Sequence, residues 1–235
     1  MAIASPIAHP PEVQRTYSPI AGVLSYLVPG LGQIVQGRVG KGLLFLVCIY
    51  TLFFYGLYLG TDKVTIEGRT YRITGNVYLP DTVEPGPNDR WPIVLQNLYN
   101  RPQFAGQFWV GVAAWPAIVQ YRGYDRRQAE QVERELDSLY VDLVALEDAD
   151  PAKIREKRDE IDVKEKSQRH AVLGDLMREP GPKAMNAVGN AGDKRLELAW
   201  VYTVIAGVLN IMVIYDAVAG AAYLSGDPEP EKDTL

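Results

Sequence analysis

Charged residues are nearly absent from four stretches of the chain and crowd the rest of it. The first apolar stretch, 18–36, reads SPIAGVLSYLVPGLGQIVQ. Ser18 is placed to cap a helix, and Pro19 fits a first helical position, where its missing N–H costs nothing. Pro29 and Gly30 interrupt the run. The second stretch, 42–60, reads GLLFLVCIYTLFFYGLYLG and carries no charge. As a helix it covers about 28 Å, close to a bilayer's hydrocarbon core. Tyr50, Phe53, Phe54, Tyr55 and Tyr58 load its second half with the aromatics that gather near membrane interfaces. The third, 104–121, is shorter and contains Gln107 and Pro116. It reads as a transmembrane helix, with a buried or interfacial helix as the alternative. The fourth, 196–224, is long and contains Asn210 and Asp216.

The intervening segments have other periods. Within 61–103, KVTIEGRTYRITG alternates β-branched and aromatic residues around Glu67 and Gly68, a two-stranded hairpin pattern. A loop rich in proline and turn residues follows it. In 122–195 the residues Ala129, Val132, Leu136, Leu139, Leu143 and Leu146 step alternately by three and four, a heptad seam. Asp150 and Pro151 start a second helix over about 152–178, with Ile154, Ile161, Val172, Leu173 and Leu176 as a thin apolar stripe. An antiparallel helical hairpin accounts for both, and a parallel coiled-coil dimer through 129–146 is the alternative. Residues 1–17 and 225–235 read as disordered tails, and no internal repeat stands out. The expected fold is mainly α: an integral membrane protein with about four transmembrane helices (18–60 as a membrane helical hairpin, then 104–121 and 196–224), a small β-containing outer loop over 61–103, and a charged cytoplasmic hairpin over 122–195.

Composition sharpens this picture in one respect. The mean hydropathy of −0.09 would suit a soluble protein, yet residues 121–196 hold 32 of the 53 charges. The average therefore joins two unlike kinds of sequence. Cys48 is the only cysteine, which excludes an internal disulfide, and with only His9 and His170 a zinc site is not expected. A net charge of −5 gives no footprint for nucleic acid. The N-terminus lacks the basic region of a signal peptide, so the first helix is expected to serve as an uncleaved anchor. Arg38 and Lys41, then Arg122, Arg126 and Arg127, then Lys194 and Arg195 mark three cytoplasmic flanks. Four crossings satisfy them, with both tails and 61–103 outside and 122–195 inside.

Polar residues inside the apolar runs are the candidate site. Asp216 is the one acidic residue well within such a run, and an intramembrane carboxylate is either paired for structure or serves a ligand or proton. Asn210 and Thr203, seven apart, share a helix face, and Gln33, Gln36 and Gln107 read as interhelical hydrogen-bonding groups. Gly56 and Gly60 form a GxxxG that permits close helix approach. The glycines of GLGQIVQGRVGKG lack the phosphate-loop spacing, and no strand precedes them. Pro29, Gly30 and Gly32 instead predict a kinked or re-entrant first helix packed on its neighbours, with Arg38 and Lys41 at headgroup level.

LVPGLGQIVQGRVGKGLLFL resembles the PGLGQ…KG signature of uncharacterised multi-pass membrane proteins of planctomycete-type bacteria, itself similar to the TM2 domain. That domain's second helix ends in an aliphatic-aromatic-Asp pattern, which NIMVIYDAVAG resembles at Asp216. Here the two parts lie about 170 residues apart instead of forming one short hairpin. The resemblance implies a bacterial inner-membrane location and brings no activity, cofactor or metal. No catalytic pair appears within any one region. A non-enzymatic scaffold is expected, binding a protein partner or a second copy through 129–146, with the lipid bilayer as its medium. The alternative is a small channel or transporter component built on Asp216, Asn210 and the helix broken at Pro29. Pro29, Gly30, Gly32, Gln33, Lys41, Asn210 and Asp216 are the residues to follow.

Overall fold

The structure is a computed structural model that describes residues 17–66, 69–80, 92–123, 126–146, 151–167, 169–190 and 194–224. The chain is mainly helical. Its hub is the C-terminal helix α10 (Arg195–Leu224), against which α3 (Val39–Leu59) packs along its length. Among the described residues, these two are the helices long and apolar enough to cross a membrane. Arg195–Gly220 is the apolar part of α10. The buried face of α10 is narrow and made of small or polar residues: Ala199, Thr203, Ala206, Asn210, Val213, Ala217 and Gly220. Such residues let helix backbones approach closely.

The first apolar stretch does not run through the molecule. Helix α1 (Pro19–Leu27) starts beside the C-terminal end of α10, where the Ser18 amide donates to Val218 O at 3.1 Å. It descends to the level of Asn210, turns at Val28–Gly30, and returns as α2 (Leu31–Val35), so that Gln36 reaches Ala217 O at 2.7 Å. Gly30 makes the turn with φ +83°, and a Cβ there would overlap Gly42 O of α3. Glycine is thus required twice over, by conformation and by space.

The third stretch behaves in the same way from the other end, which corrects the expectation of a single helix over 104–121. Helix α4 (Ile93–Asn100) leads into α5 (Pro102–Phe108), which enters beside Asn76 and Thr203 and stops at the level of Asn210. A 3-10 turn (Gly111–Ala114) and α6 (Trp115–Gly123) carry the chain back, with Tyr121 OH beside Asn97 of α4. Gly111, at φ +84°, breaks the helix, and Pro116 is tolerated because it falls in the first turn of α6. The two hairpin tips touch. Tyr26 meets Phe108 and Trp109 with ring centroids 5.6 and 6.0 Å apart, and a Cβ on Gly111 would overlap Tyr26 O.

Strands β1 (Thr61–Ile66) and β2 (Arg69–Thr74) pair antiparallel, Thr61 opposite Thr74. They sit on the remainder of the polar region and not across the molecule from it. Ile73 packs with Ala184, Val188 and Leu196, from α9 (Pro182–Asn190) and α10, and Arg195 pairs with Asp62 at 3.1 Å. Strands β1–β2 and helix α9 therefore lie together at the N-terminal end of α10, where four crossings would set them at opposite ends.

Helices α7 (Arg126–Ala145) and α8 (Pro151–Ser167) form an antiparallel hairpin. Its seam is filled from within the chain: Leu136, Leu139 and Ile161 are buried together, flanked by Val132, Tyr140 and Leu143. The seam leucines meet α8 of the same chain, as the antiparallel hairpin expects. The second helix also ends earlier than the expected 178. The Val172 and Leu173 amides donate to His170 Nδ1, and Gly174 and Met177 take positive φ, so residues 170–177 are turns. The N-terminal tail to residue 16, the tail from 225, the loop tip at 67–68 and the loop 81–91 lie outside the described residues.

Candidate functional site

The PGLGQ region converges on Asp216. Gln33 is completely buried, and its Nε2 donates to Val213 O at 2.8 Å and to Asp216 Oδ2 at 3.2 Å. Its Oε1 accepts from Ser25 Oγ at 3.0 Å, and that hydroxyl in turn accepts from the Gly32 amide at 3.1 Å. Gly32 has to be glycine here, since a Cβ would overlap Ala21 O. Arg38 Nη2 reaches both Asp216 oxygens, at 2.9 and 3.2 Å, and Lys41 Nζ reaches Oδ1 at 2.6 Å. The carboxylate thus holds two cations and an amide. Gln33, Gln36 and the Ser18 amide also donate to carbonyls in the C-terminal half of α10, at Val213, Ala217 and Val218.

One turn and a half deeper, Asn210 Nδ2 donates to Ser25 O at 3.1 Å and Trp109 O at 2.8 Å, joining the tips of both hairpins to α10. Nearer the other end, Gln107 Nε2 donates to Asn76 O at 2.7 Å and Thr203 Oγ1 at 2.8 Å, while Asn76 Nδ2 donates to Gly56 O at 3.0 Å and Ala199 O at 3.4 Å. Each amide nitrogen faces acceptors, so its orientation is fixed: turned over, an amide oxygen would face carbonyl or hydroxyl oxygens. Gly56 lets α3 meet Thr203 and Ala199, and Gly60 meets Asn76, so both glycines of the GxxxG make close approaches within the chain. Arg101 closes this end, stacked 3.5 Å from the Tyr78 ring centre and donating to Gly75 O and Asn76 O. Burial raises the Tyr78 hydroxyl above its ordinary range, and the adjacent guanidinium pulls against that rise.

Of the residues singled out in the sequence, Gln33, Lys41 and Asp216 meet in one cluster, with Gly32 beside it. Pro29 and Gly30 form the first hairpin's turn, and Asn210 joins the two tips. Ser25, Asn76 and Arg101 belong to the same polar framework without a mark in the sequence, and Arg38, expected at headgroup level, pairs with Asp216. Asn76 lies in a segment that reads as an outer loop, so no pattern marked it. Arg38 sits two residues past Gln36 in the conspicuous motif, a signal that could have pointed to the pairing. Among the described residues, no group of three or more His, Cys, Asp or Glu is placed to hold a metal ion. The arrangement fastens chain segments to one another.

Fold and site together define a mainly helical protein with two apolar helices of bilayer-crossing length and a polar framework between broken segments. The chain belongs to the family of unknown function DUF6677, which matches residues 20–228. No curated protein and no solved structure matches it.

Proposed function

We propose that this protein is an integral membrane scaffold without enzymatic activity, crossing the bilayer twice and dipping into it twice. The carrying observation is its inverted polarity. Ser25, Gln33, Gln107, Thr203 and Asn210 are buried, whereas Leu43, Val47, Phe54, Val208, Ile211, Met212 and Tyr215 are exposed. Only about a third of the apolar window is buried in α10 and 28% in α3, too little for the core helices of a soluble protein. A surface of that kind suits lipid, and broken helices within lipid need the internal partners that the amides supply.

On this reading, α3 and α10 are the crossings, and α1–α2 and α5–α6 are re-entrant hairpins from opposite faces. Arg101, Arg122, Lys194 and Arg195 flank one face, and at the other Arg38 and Lys41 are both engaged by Asp216. The positive-inside rule then makes the face carrying β1–β2 and α7–α8 cytoplasmic, in the inner membrane of a bacterial cell. The embedded part is a rigid holder, and the charged hairpin is what it presents to a protein partner.

Single cysteines at positions 17, 37, 63 and 183 on a Cys48→Ser background test this with an impermeant maleimide. Positions 17 and 37 label from one side of the membrane, and 63 and 183 from the other. Labelling of 17 and 37 from opposite sides would restore four crossings and sink the proposal.

A channel or transporter component is the second reading, favoured by the meeting of two broken helices at Asn210. Solute flux in proteoliposomes that disappears with Asn210→Leu, while the protein stays folded, would establish it over the scaffold.

A further inference from the structure

Helix α4 has the wrong polarity for a helix facing water. Asn97 is completely buried and donates to Tyr121 OH at 3.1 Å, while Val94, Leu95 and Tyr99 are exposed, Tyr99 by 85%. A surface helix on a soluble domain turns its apolar stripe inward. The position of α4 in the fold explains the inversion. Its C-terminal neighbour Arg101 is tied to Gly75 O and Asn76 O, and Asn76 is tied to Gly56 O near the end of α3. This places α4 at the end of α3 where Tyr55 and Tyr58 are also exposed. The apolar face of α4 therefore continues the outward apolar belt at the depth where tyrosines collect.

We infer that α4 is an interfacial helix whose Val94–Leu95–Tyr99 face is seated in the headgroup and acyl boundary of the bilayer. The occupant of that face is the lipid surface itself. Interfacial helices gain their hold from buried apolar area, with a polar side turned elsewhere. Here Asn97, with Leu98 beside it, is turned into the protein, which fixes α4 to α6 and seats the entrance of the second hairpin on the membrane. The inference rests on the proposed membrane reading and goes beyond it, since two crossings and two dips could exist with α4 lifted into water.

The test uses the full chain on a Cys48→Ser background in phosphatidylcholine–phosphatidylglycerol vesicles, with a nitroxide at position 95, 99, 183 or 208. Collision with oxygen relative to a water-soluble nickel chelate reads depth. Positions 95 and 99 are expected to give ratios above that at 183 and below that at 208. Ratios at 95 and 99 equal to that at 183, with 208 still in lipid, overturn the inference alone. An aqueous ratio at 208 overturns the membrane reading with it. Spin–spin broadening at 95 that vanishes on dilution with unlabelled protein shows a second copy covering the face, and also overturns the inference.

Discussion

The two hairpins enter the helical layer from opposite ends, make the same kind of turn, and are held by different chemistry. The first leads into α3 through an ionic clasp: Arg38 and Lys41 close on Asp216, with the hairpin's Gln33 beneath them. The second is held by neutral amides, Gln107 on Thr203 and on Asn76 O. Exposure separates them. Lys41 is 42% exposed and Asp216 29%, so their surroundings share in their solvation, whereas Gln107 and Thr203 are fully enclosed. A charge enclosed as those two are would cost several kcal/mol to desolvate, and an amide costs far less. Ionic fastening is used where the side chains are partly open, and amide fastening where they are enclosed.

The comparison breaks most severely at the point where the tips meet. Gly111→Ala demands both a left-handed backbone and space that Tyr26 O occupies, so a loss of about 4 kcal/mol or more is expected. It should appear as little or no monodisperse protein in detergent, and Gly30→Ala should behave alike. Asp216→Leu comes next. Arg38 and Lys41 would lose their counter-ion, costing about 2 kcal/mol and not the 3–5 of a fully enclosed pair, because the site is partly open. Thermal unfolding in detergent measures it, and rescue by Asp216→Glu would show that charge and not volume is at stake. Asn210→Leu and Gln107→Leu follow, each at about 1 kcal/mol by the scale of intramembrane hydrogen bonds. Salt separates the two chemistries: the gap between Asp216→Leu and wild type narrows at high ionic strength, and the gap for Gln107→Leu does not. Gly40→Ala stands at the bottom, within about 0.5 kcal/mol, because a Cβ there meets nothing.

The sequence makes α3, α10, the β1–β2 pair and the α7–α8 seam readable, because each has a sustained period. The hairpins are harder. PG at 29–30 announces a break in the first, but whether a broken helix continues or turns back depends on distant partners such as Val213 and Val218. In the second, Gly111 sits in WVGVAAWP, an ordinary apolar context, and its need for φ +84° is set by the surrounding fold. Asp216 was conspicuous as a lone carboxylate, and the partner set in the PGLGQ motif explains its place. Asn76 shows the limit, since a polar residue in a loop-like segment carries no local mark of burial.

The fastening of the first hairpin also sets an order of events during synthesis. The bonds from Gln33 to Val213 and from Arg38 to Asp216 join residues 180 and 178 positions apart. At ordinary elongation rates, roughly 10–40 s separate the emergence of the two sides from the ribosome. Through that interval Gln33 and Arg38 have no Asp216 to meet, so 18–36 lacks its contacts with α10 until that helix is made. The first hairpin is made well before the helix that completes it.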